Sequence, residues 1–123
     1  MIEIAARELM ISNVLEQPQQ VPKWLSEHAR DPDRVLNFCL RHSILPEVKT
    51  AVEIAKATFL SLLGLEVYIV QDPEMNQESV EINIRLHGEV DEFIETCDRC
   101  IDQWVSRVPA QALTHFHLSY DLS

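Results

Sequence analysis

Two stretches in the second half of the chain alternate apolar and polar residues with a period of two. One runs from Val80 to His87 and the other from His115 to Leu122. Successive side chains of a β-strand point to opposite sides of the sheet, so each stretch predicts a strand with one apolar and one polar face. Between them, apolar residues recur at helical spacing over residues 90–108, which predicts an amphipathic helix.

A third strand and the helix before it complete the pattern. Residues 65–71 are dense in Val, Ile and Tyr, and the polar turn at 72–78 is too long for a tight hairpin. The preceding helix begins near Pro46, and Gly64 stands where a left-handed C-terminal cap is expected. Strands joined through a helix run parallel, whereas the first strand is expected to pair antiparallel. We predict an α+β fold with N-terminal helices followed by an α-β-β-α-β core. Its small three-stranded mixed sheet is covered by helices on one face.

The first 45 residues predict a helical N-terminal region. Apolar residues at three- and four-residue spacing predict a helix over residues 1–16, and two prolines interrupt the chain after it. Asp31 followed by Pro32 has the residues of a helix start. At 123 residues the chain fits a single domain, with the core at 46–123. The apolar surplus of the first helix favours a homodimer in which this helix crosses to the partner. Packing within the same chain is an equal alternative.

Composition excludes several classes of function. A net charge of −10, with 10 lysines and arginines and no basic stripe, excludes general nucleic-acid binding. No stretch approaches the roughly 18 apolar residues of a membrane span, and the first residues lack the pattern of a signal peptide. Three cysteines do not make a disulfide framework. We therefore expect a cytoplasmic protein that does not enter membranes, and its acidity favours a partner with a basic surface.

Three histidines, His87, His115 and His117, fall on the polar face of the predicted sheet. Glu81 and Asp121 lie on the same face, and side chains opposite each other on adjacent strands come within about 5 Å. Such a cluster is able to bind a divalent metal ion or to act as acid and base in hydrolysis. The alternative interpretation is that this face is polar because it is hydrated. No other cofactor is expected.

Cys97 and Cys100 have the spacing of redox and zinc motifs in a different setting. They fall about two turns inside the predicted helix, whereas redox pairs lie at a helix N-terminus, where the dipole lowers the thiol pKa. With His115 and His117 they complete a Cys2His2 set, but the histidines are closer together than the three to five residues of zinc fingers. We expect Cys97 to act as a small buried apolar residue.

Six short elements mark the second half of the chain. They are Val70-Gln-Asp72-Pro73-Glu74, Gly88-Glu-Val90-Asp91-Glu92, Cys97-Asp98-Arg99, Trp104-Val105, Val108-Pro109 and Leu118-Ser-Tyr120-Asp121. On these elements the run from Val67 to Leu122 resembles a group of short bacterial proteins of unknown function. The resemblance implies a bacterial cytosolic protein and carries no chemistry with it. Residues 1–45 take no part in it.

The polar face is also a candidate surface for binding another protein. Its residues for this role are Tyr68, Glu81, Asn83, Arg85 and Asp121. The sequence contains no glycine-rich phosphate loop, nucleophile elbow or nucleotide fingerprint, which weighs against an enzyme. We predict a non-catalytic protein-interaction module with an accessory or antitoxin-like role. The alternative is a metal-binding protein or a small metal-dependent hydrolase that uses the histidines.

Overall fold

The computed structural model describes residues 20–122, which form five helices and three strands. The helices are α1 (Lys23–His28), α2 (Pro32–Arg41), α3 (Leu45–Thr58), α4 (Val90–Arg107) and α5 (Ala110–Leu113). The strands are β1 (Leu62–Asp72), β2 (Gln77–Leu86) and β3 (Phe116–Leu122). This order confirms the predicted α+β class. The helix predicted over residues 1–16 lies outside the described residues.

The three strands form one mixed sheet in the order β1-β2-β3. β1 pairs antiparallel with β2, and β2 pairs parallel with β3, as the sequence predicts. The register places Val67, Ile82 and Leu118 side by side. Because side chains alternate along each strand, these three apolar residues share one face, and their polar neighbours share the other.

Gly64 lies elsewhere than predicted. We expected it to cap the helix before β1, but α3 ends at Thr58 with the extended residue Phe59 as its C-cap. Gly64 is part of β1, where it pairs with Arg85 after a shift of register. The pairing of β1 with β2 extends to Leu62, so it draws the chain into strand geometry earlier than local propensity suggests.

The helices pack on the apolar face of the sheet. The inward residues of β2 are all completely buried: Val80, Ile82, Ile84 and Leu86. Trp104 of α4 joins three elements, because its ring lies 5.3 Å from that of Phe116 in β3 and its indole N–H donates to the carbonyl of Ala51 in α3 at 3.1 Å. This contact places α4 over β3 with α3 beside it.

Helix α4 begins at a capping box. The side chain of Glu89 accepts from the backbone at Glu92, and the N–H of Glu89 donates to Glu92 Oε1 at 2.8 Å. Gly88, just before the box, has a φ of +134°, and a Cβ there would lie 2.8 Å from Glu92 Oε1 and 2.9 Å from Phe93 Cε2. The turn from β2 into α4 therefore requires glycine.

Half of the apolar surface of α4 faces the core. Phe93, Cys100 and Trp104 are buried there. Four residues of the same predicted stripe are instead 36–63% exposed, namely Val90, Ile94, Ile101 and Val105. At 3.6 residues per turn the apolar arc is roughly 140° wide, which exceeds the side of a helix that one sheet covers. We call these four exposed residues the α4 stripe.

The two edges of the sheet differ in their cover. Ala29 forms a bridge with Val67, and the N–H of Arg30 donates to the carbonyl of Val67 at 2.8 Å, so the segment after α1 covers part of the β1 edge. Within residues 20–122, β3 pairs with β2 alone, and its other edge is open. No helix in this part of the chain is long and apolar enough to cross a bilayer.

Candidate functional site

Four side chains form a row across the polar face of the sheet. Tyr68, Glu81 and His117 are neighbours in the register of the three strands. The Tyr68 hydroxyl donates to Glu81 Oε2 at 3.2 Å, and His117 Nε2 lies 2.5 Å from Glu81 Oε1. At the β1 edge, the Arg30 guanidinium lies over the Tyr68 ring, 4.3 Å from its centre. We call Arg30, Tyr68, Glu81 and His117 the polar row.

Arg30 is held in place from two directions. Its backbone is tied to β1 by the hydrogen bond to Val67. Its guanidinium donates to both carboxylate oxygens of Glu66, at 2.6 Å from Nη2 and 3.3 Å from Nε. Glu66 raises the pKa of Arg30 further, chiefly through this hydrogen bond. Because a paired guanidinium loses less freedom on stacking, this arrangement presents a fixed cation above Tyr68.

Glu81 is the centre of the row and remains ionised. Burial of its side chain, which is 18% exposed, raises its pKa, but hydrogen bonds with Ser119, His117 and Tyr68 outweigh burial and hold the pKa below its ordinary value. The pKa of Tyr68 is raised, first by burial and then by the nearby Glu81 charge. Tyr68 therefore stays protonated and donates, while Glu81 accepts. Both oxygens of Glu81 are occupied, so this carboxylate is not a free general base.

The remaining predicted interaction residues lie on the same face. Asn83 donates from Nδ2 to the hydroxyl of Ser119 at 2.9 Å, next to the polar row. Arg85 and Asp121 are register partners on β2 and β3, and both are exposed. The structure thus places Tyr68, Glu81 and these three predicted residues on one continuous strand surface.

The three histidines occupy three separate places. His117 belongs to the polar row. His115 precedes β3, and its ring centre lies 4.4 Å from that of His42 at the end of α2. His87 follows the last residue of β2 and is exposed. His87 and His115 both lie outside the strands. The alternation of side chains along a strand, which predicted that they share the polar face, therefore does not apply to them. Among residues 20–122, no group of three or more His, Cys, Asp or Glu side chains has the geometry to hold a metal ion.

The cysteines are free thiols with high pKa values. Burial raises the pKa of Cys39 and of Cys100 to about 12. The pKa of Cys97 is also raised, by burial and then by the charge of Asp98. Because the thiolate is the nucleophile, the buried thiols of Cys39 and Cys100 are poor redox or nucleophilic groups.

A cleft of about 480 Å³ opens between α2 and the start of β2. Its two cations, Arg34 and Arg41, both donate to the carboxylate of Glu78, at 2.9 and 3.3 Å. The pKa of Glu78 is lowered, chiefly by the hydrogen bond from Arg34. Since the carboxylate already occupies both guanidinium groups, the cleft is not built to receive an anion.

Arg30, Glu66 and Ser119 are part of this surface, although the sequence did not single them out. Ser119 follows the same alternation as His117 and Asp121, so its place was available from the pattern. Arg30 lies in the predicted N-terminal region, and only the bridge from Ala29 to β1 brings it to the sheet. No local pattern in the sequence reports that bridge.

Comparison with known proteins identifies no relative. No protein-family model matches the chain, and neither a curated protein nor a solved structure matches it.

Proposed function

We propose that this protein is a non-catalytic interaction module that binds a protein partner through the polar face of its sheet. The observation that carries the proposal is the polar row. Tyr68 and His117 are hydrogen-bonded to Glu81, and Arg30 stacks on Tyr68 while paired with Glu66, so the four side chains are held in place before any partner binds. Preorganised side chains lose little entropy on binding, which favours recognition of another surface.

The chemistry of the face suits recognition better than catalysis. Glu81 is saturated by its two neighbours, and Tyr68 holds its proton. The outer members of the row keep exposed tips, with the side chain of Arg30 63% exposed and that of His117 52% exposed. Arginine and tyrosine are enriched at protein interfaces and among the residues that dominate binding energy.

The charge of the chain favours a basic partner. A net charge of −10 attracts a positively charged surface and raises the rate of encounter at low salt. An accessory or antitoxin-like role in a bacterial cytoplasm accords with a small acidic module of this kind. The partner, on this proposal, presents basic residues toward the exposed carboxylate of Asp121 on the face.

Capture experiments with two matched variants test the proposal. Asp121→Lys reverses an exposed negative charge on the polar face, and Glu95→Lys makes a matched change at an exposed site on α4. We expect tagged wild-type protein and Glu95→Lys to retain one stoichiometric partner from host extract, and Asp121→Lys to lose it, because the added lysine repels a basic partner surface. A partner retained equally by both variants would contradict binding through the polar face. A wild-type protein that retains nothing would contradict the interaction module itself.

A further inference from the structure

The α4 stripe lies beside the open edge of β3. Trp104 places α4 over β3, and α3 flanks the opposite side of α4, where Arg99 and Arg107 line the groove between the two helices. The stripe is on the side of α4 away from that groove. Below it, Tyr120 and Leu122 on the apolar face of β3 are 42% and 36% exposed. Within residues 20–122 nothing covers this apolar surface.

The residues of the α4 stripe have the same order and spacing in both chain directions. Its residues are Val90, Ile94, Ile101 and Val105, separated by four, seven and four positions. A two-fold axis at the midpoint between residues 97 and 98 would bring each valine of one copy against a valine of the other, and each isoleucine against an isoleucine. Self-complementarity of this kind is what a two-fold interface requires.

The open edge of β3 has the same symmetry. The N–H of Val80 donates to the carbonyl of His115 at 2.8 Å, and Val80 is the register partner of Phe116. In a parallel ladder this pattern points the N–H and C=O groups of even-numbered residues 116–122 away from β2. A two-fold axis at Ser119, the midpoint of β3, would pair Leu118 with Tyr120 of the second copy. The backbone N–H and C=O groups that pair between the two copies are then those that point away from β2.

One axis satisfies both elements. Trp104 lies on Phe116. The midpoint of the stripe is about 10 Å along α4 from Trp104 at 1.5 Å per residue. At about 3.3 Å per strand residue, that distance reaches three residues beyond Phe116, which is Ser119. The symmetry centre of the helix thus stands over the symmetry centre of the strand.

We propose that two copies of this chain associate about this axis. The two β3 edges pair antiparallel into a continuous six-stranded sheet, and the two α4 stripes pack against each other above it. The six exposed apolar side chains present on the order of 500 Å² per copy, a large share of the ~800 Å² per partner in a standard interface. The two polar faces then lie on the same side as one larger surface. This proposal uses other residues than the proposed function and stands or fails separately.

Acidic residues make the association sensitive to salt. On a helical projection Asp91, Asp98 and Asp102 border the α4 stripe on its solvent side, so the two copies bring like charges together near the axis. Screening weakens this repulsion. The dimer is therefore expected to tighten as NaCl rises, unlike a complex held by opposite charges.

Analytical ultracentrifugation of the full chain tests the proposal. At high NaCl the mass is expected to rise from 14.2 kDa toward twice that value as protein concentration increases. Ile94→Glu and Val105→Glu are expected to weaken association at least about tenfold. Leu60→Glu makes the same kind of change at a side chain that is 96% exposed outside the stripe, and it is expected to have no effect. Circular dichroism checks that each variant is folded.

Cross-linking provides an independent measurement. Cys97 stands next to the proposed axis and is partly exposed, whereas Cys39 and Cys100 are completely buried. A short bis-maleimide is expected to join two wild-type chains through Cys97 and to fail with Cys97→Ser. A chain that stays at 14.2 kDa at every concentration and salt level would overturn the proposal, as would a dimer that persists unchanged in both glutamate variants.

Discussion

Glu81 of β2 and His117 of β3 face each other across the parallel strand pair, with Oε1 2.5 Å from Nε2. Their neighbour Tyr68 donates to the other oxygen of the same carboxylate. The polar face is therefore organised around one ionised side chain, and its properties follow from the charge of Glu81.

Replacing Glu81 by Gln tests this role through pH. The pKa of Glu81 is below its ordinary value of 4.5, so the unfolded state binds more protons in the range between the folded and unfolded pKa values. The stabilisation is complete above 4.5 and is lost as pH falls through the folded pKa. We expect Glu81→Gln to lower the free energy of unfolding by about 1 kcal/mol at pH 7 and less in acid. Urea unfolding of the wild type and the variant at pH 7 and at acid pH measures both losses of stability.

Glu74→Gln is the matched control, because Glu74 lies in the exposed turn between β1 and β2. Its pH profile of stability is expected to follow that of the wild type. If Glu81→Gln also followed the wild-type profile, the hydrogen bonds at Glu81 would contribute nothing to the folded state.

Replacing Gly88 by Ala tests the turn into α4. A Cβ at Gly88 meets Glu92 and Phe93 below 3.0 Å at a φ of +134°, so we expect a loss of about 2 kcal/mol in the free energy of unfolding. At Gly64 an added Cβ has nothing within 4 Å, and Gly64→Ala is expected to change stability by no more than about 0.5 kcal/mol. Chemical denaturation of the two variants should separate them. Equal losses would contradict the strain assigned to Gly88.

Replacing Trp104 by Phe tests the contact that joins α3, α4 and β3. The substitution removes the hydrogen bond to Ala51 and part of the ring that packs on Phe116, and we expect a loss of about 2 kcal/mol in the free energy of unfolding. Trp24 is only partly buried, so Trp24→Phe is expected to cost less than about 1 kcal/mol. A smaller loss of stability for Trp104→Phe than for Trp24→Phe would contradict the role of Trp104 in joining α3, α4 and β3.

The neighbouring imidazoles of His42 and His115 predict a second pH effect, at the end of α2. Burial, then His115 and Arg41, lower the pKa of His42 below its ordinary value of 6.5, against a smaller opposing effect of Glu78. The unfolded state therefore binds more protons just below pH 6.5, and stability falls as pH drops through that range. We expect His42→Asn to reduce this dependence, measured as the melting temperature between pH 7 and pH 5. An NMR titration that gives His42 a pKa above 6.5 would contradict this prediction.

Much of the fold follows from periodicity in the sequence. The alternation in β2 and β3 and the helical spacing of α4 predicted a mixed three-stranded sheet with helices on its apolar face. These signals are strong because burial of one face imposes a period on every residue of an element. Gly64 shows their limit, since strand pairing with β2 decided its conformation and a local turn preference did not.

The site was less accessible to prediction, for two physical reasons. His87 and His115 stand just outside strand ends, where side-chain direction no longer follows the pleat. Arg30 reaches the sheet through a single bridge from Ala29 to Val67, a contact between segments far apart in the chain. The exposed half of α4 has a related cause, because a periodic pattern gives the width of an apolar arc and not how much of it a neighbour covers.

Covalent footprinting of the captured complex tests the proposed function most directly. Diethyl pyrocarbonate modifies exposed imidazoles, and His117 on the polar face and His87 beyond β2 are both exposed in the free protein. Binding through the polar face predicts that the partner protects His117 while His87 stays reactive, measured peptide by peptide by mass spectrometry. A complex in which His117 is modified as fast as in the free protein would contradict recognition through this surface.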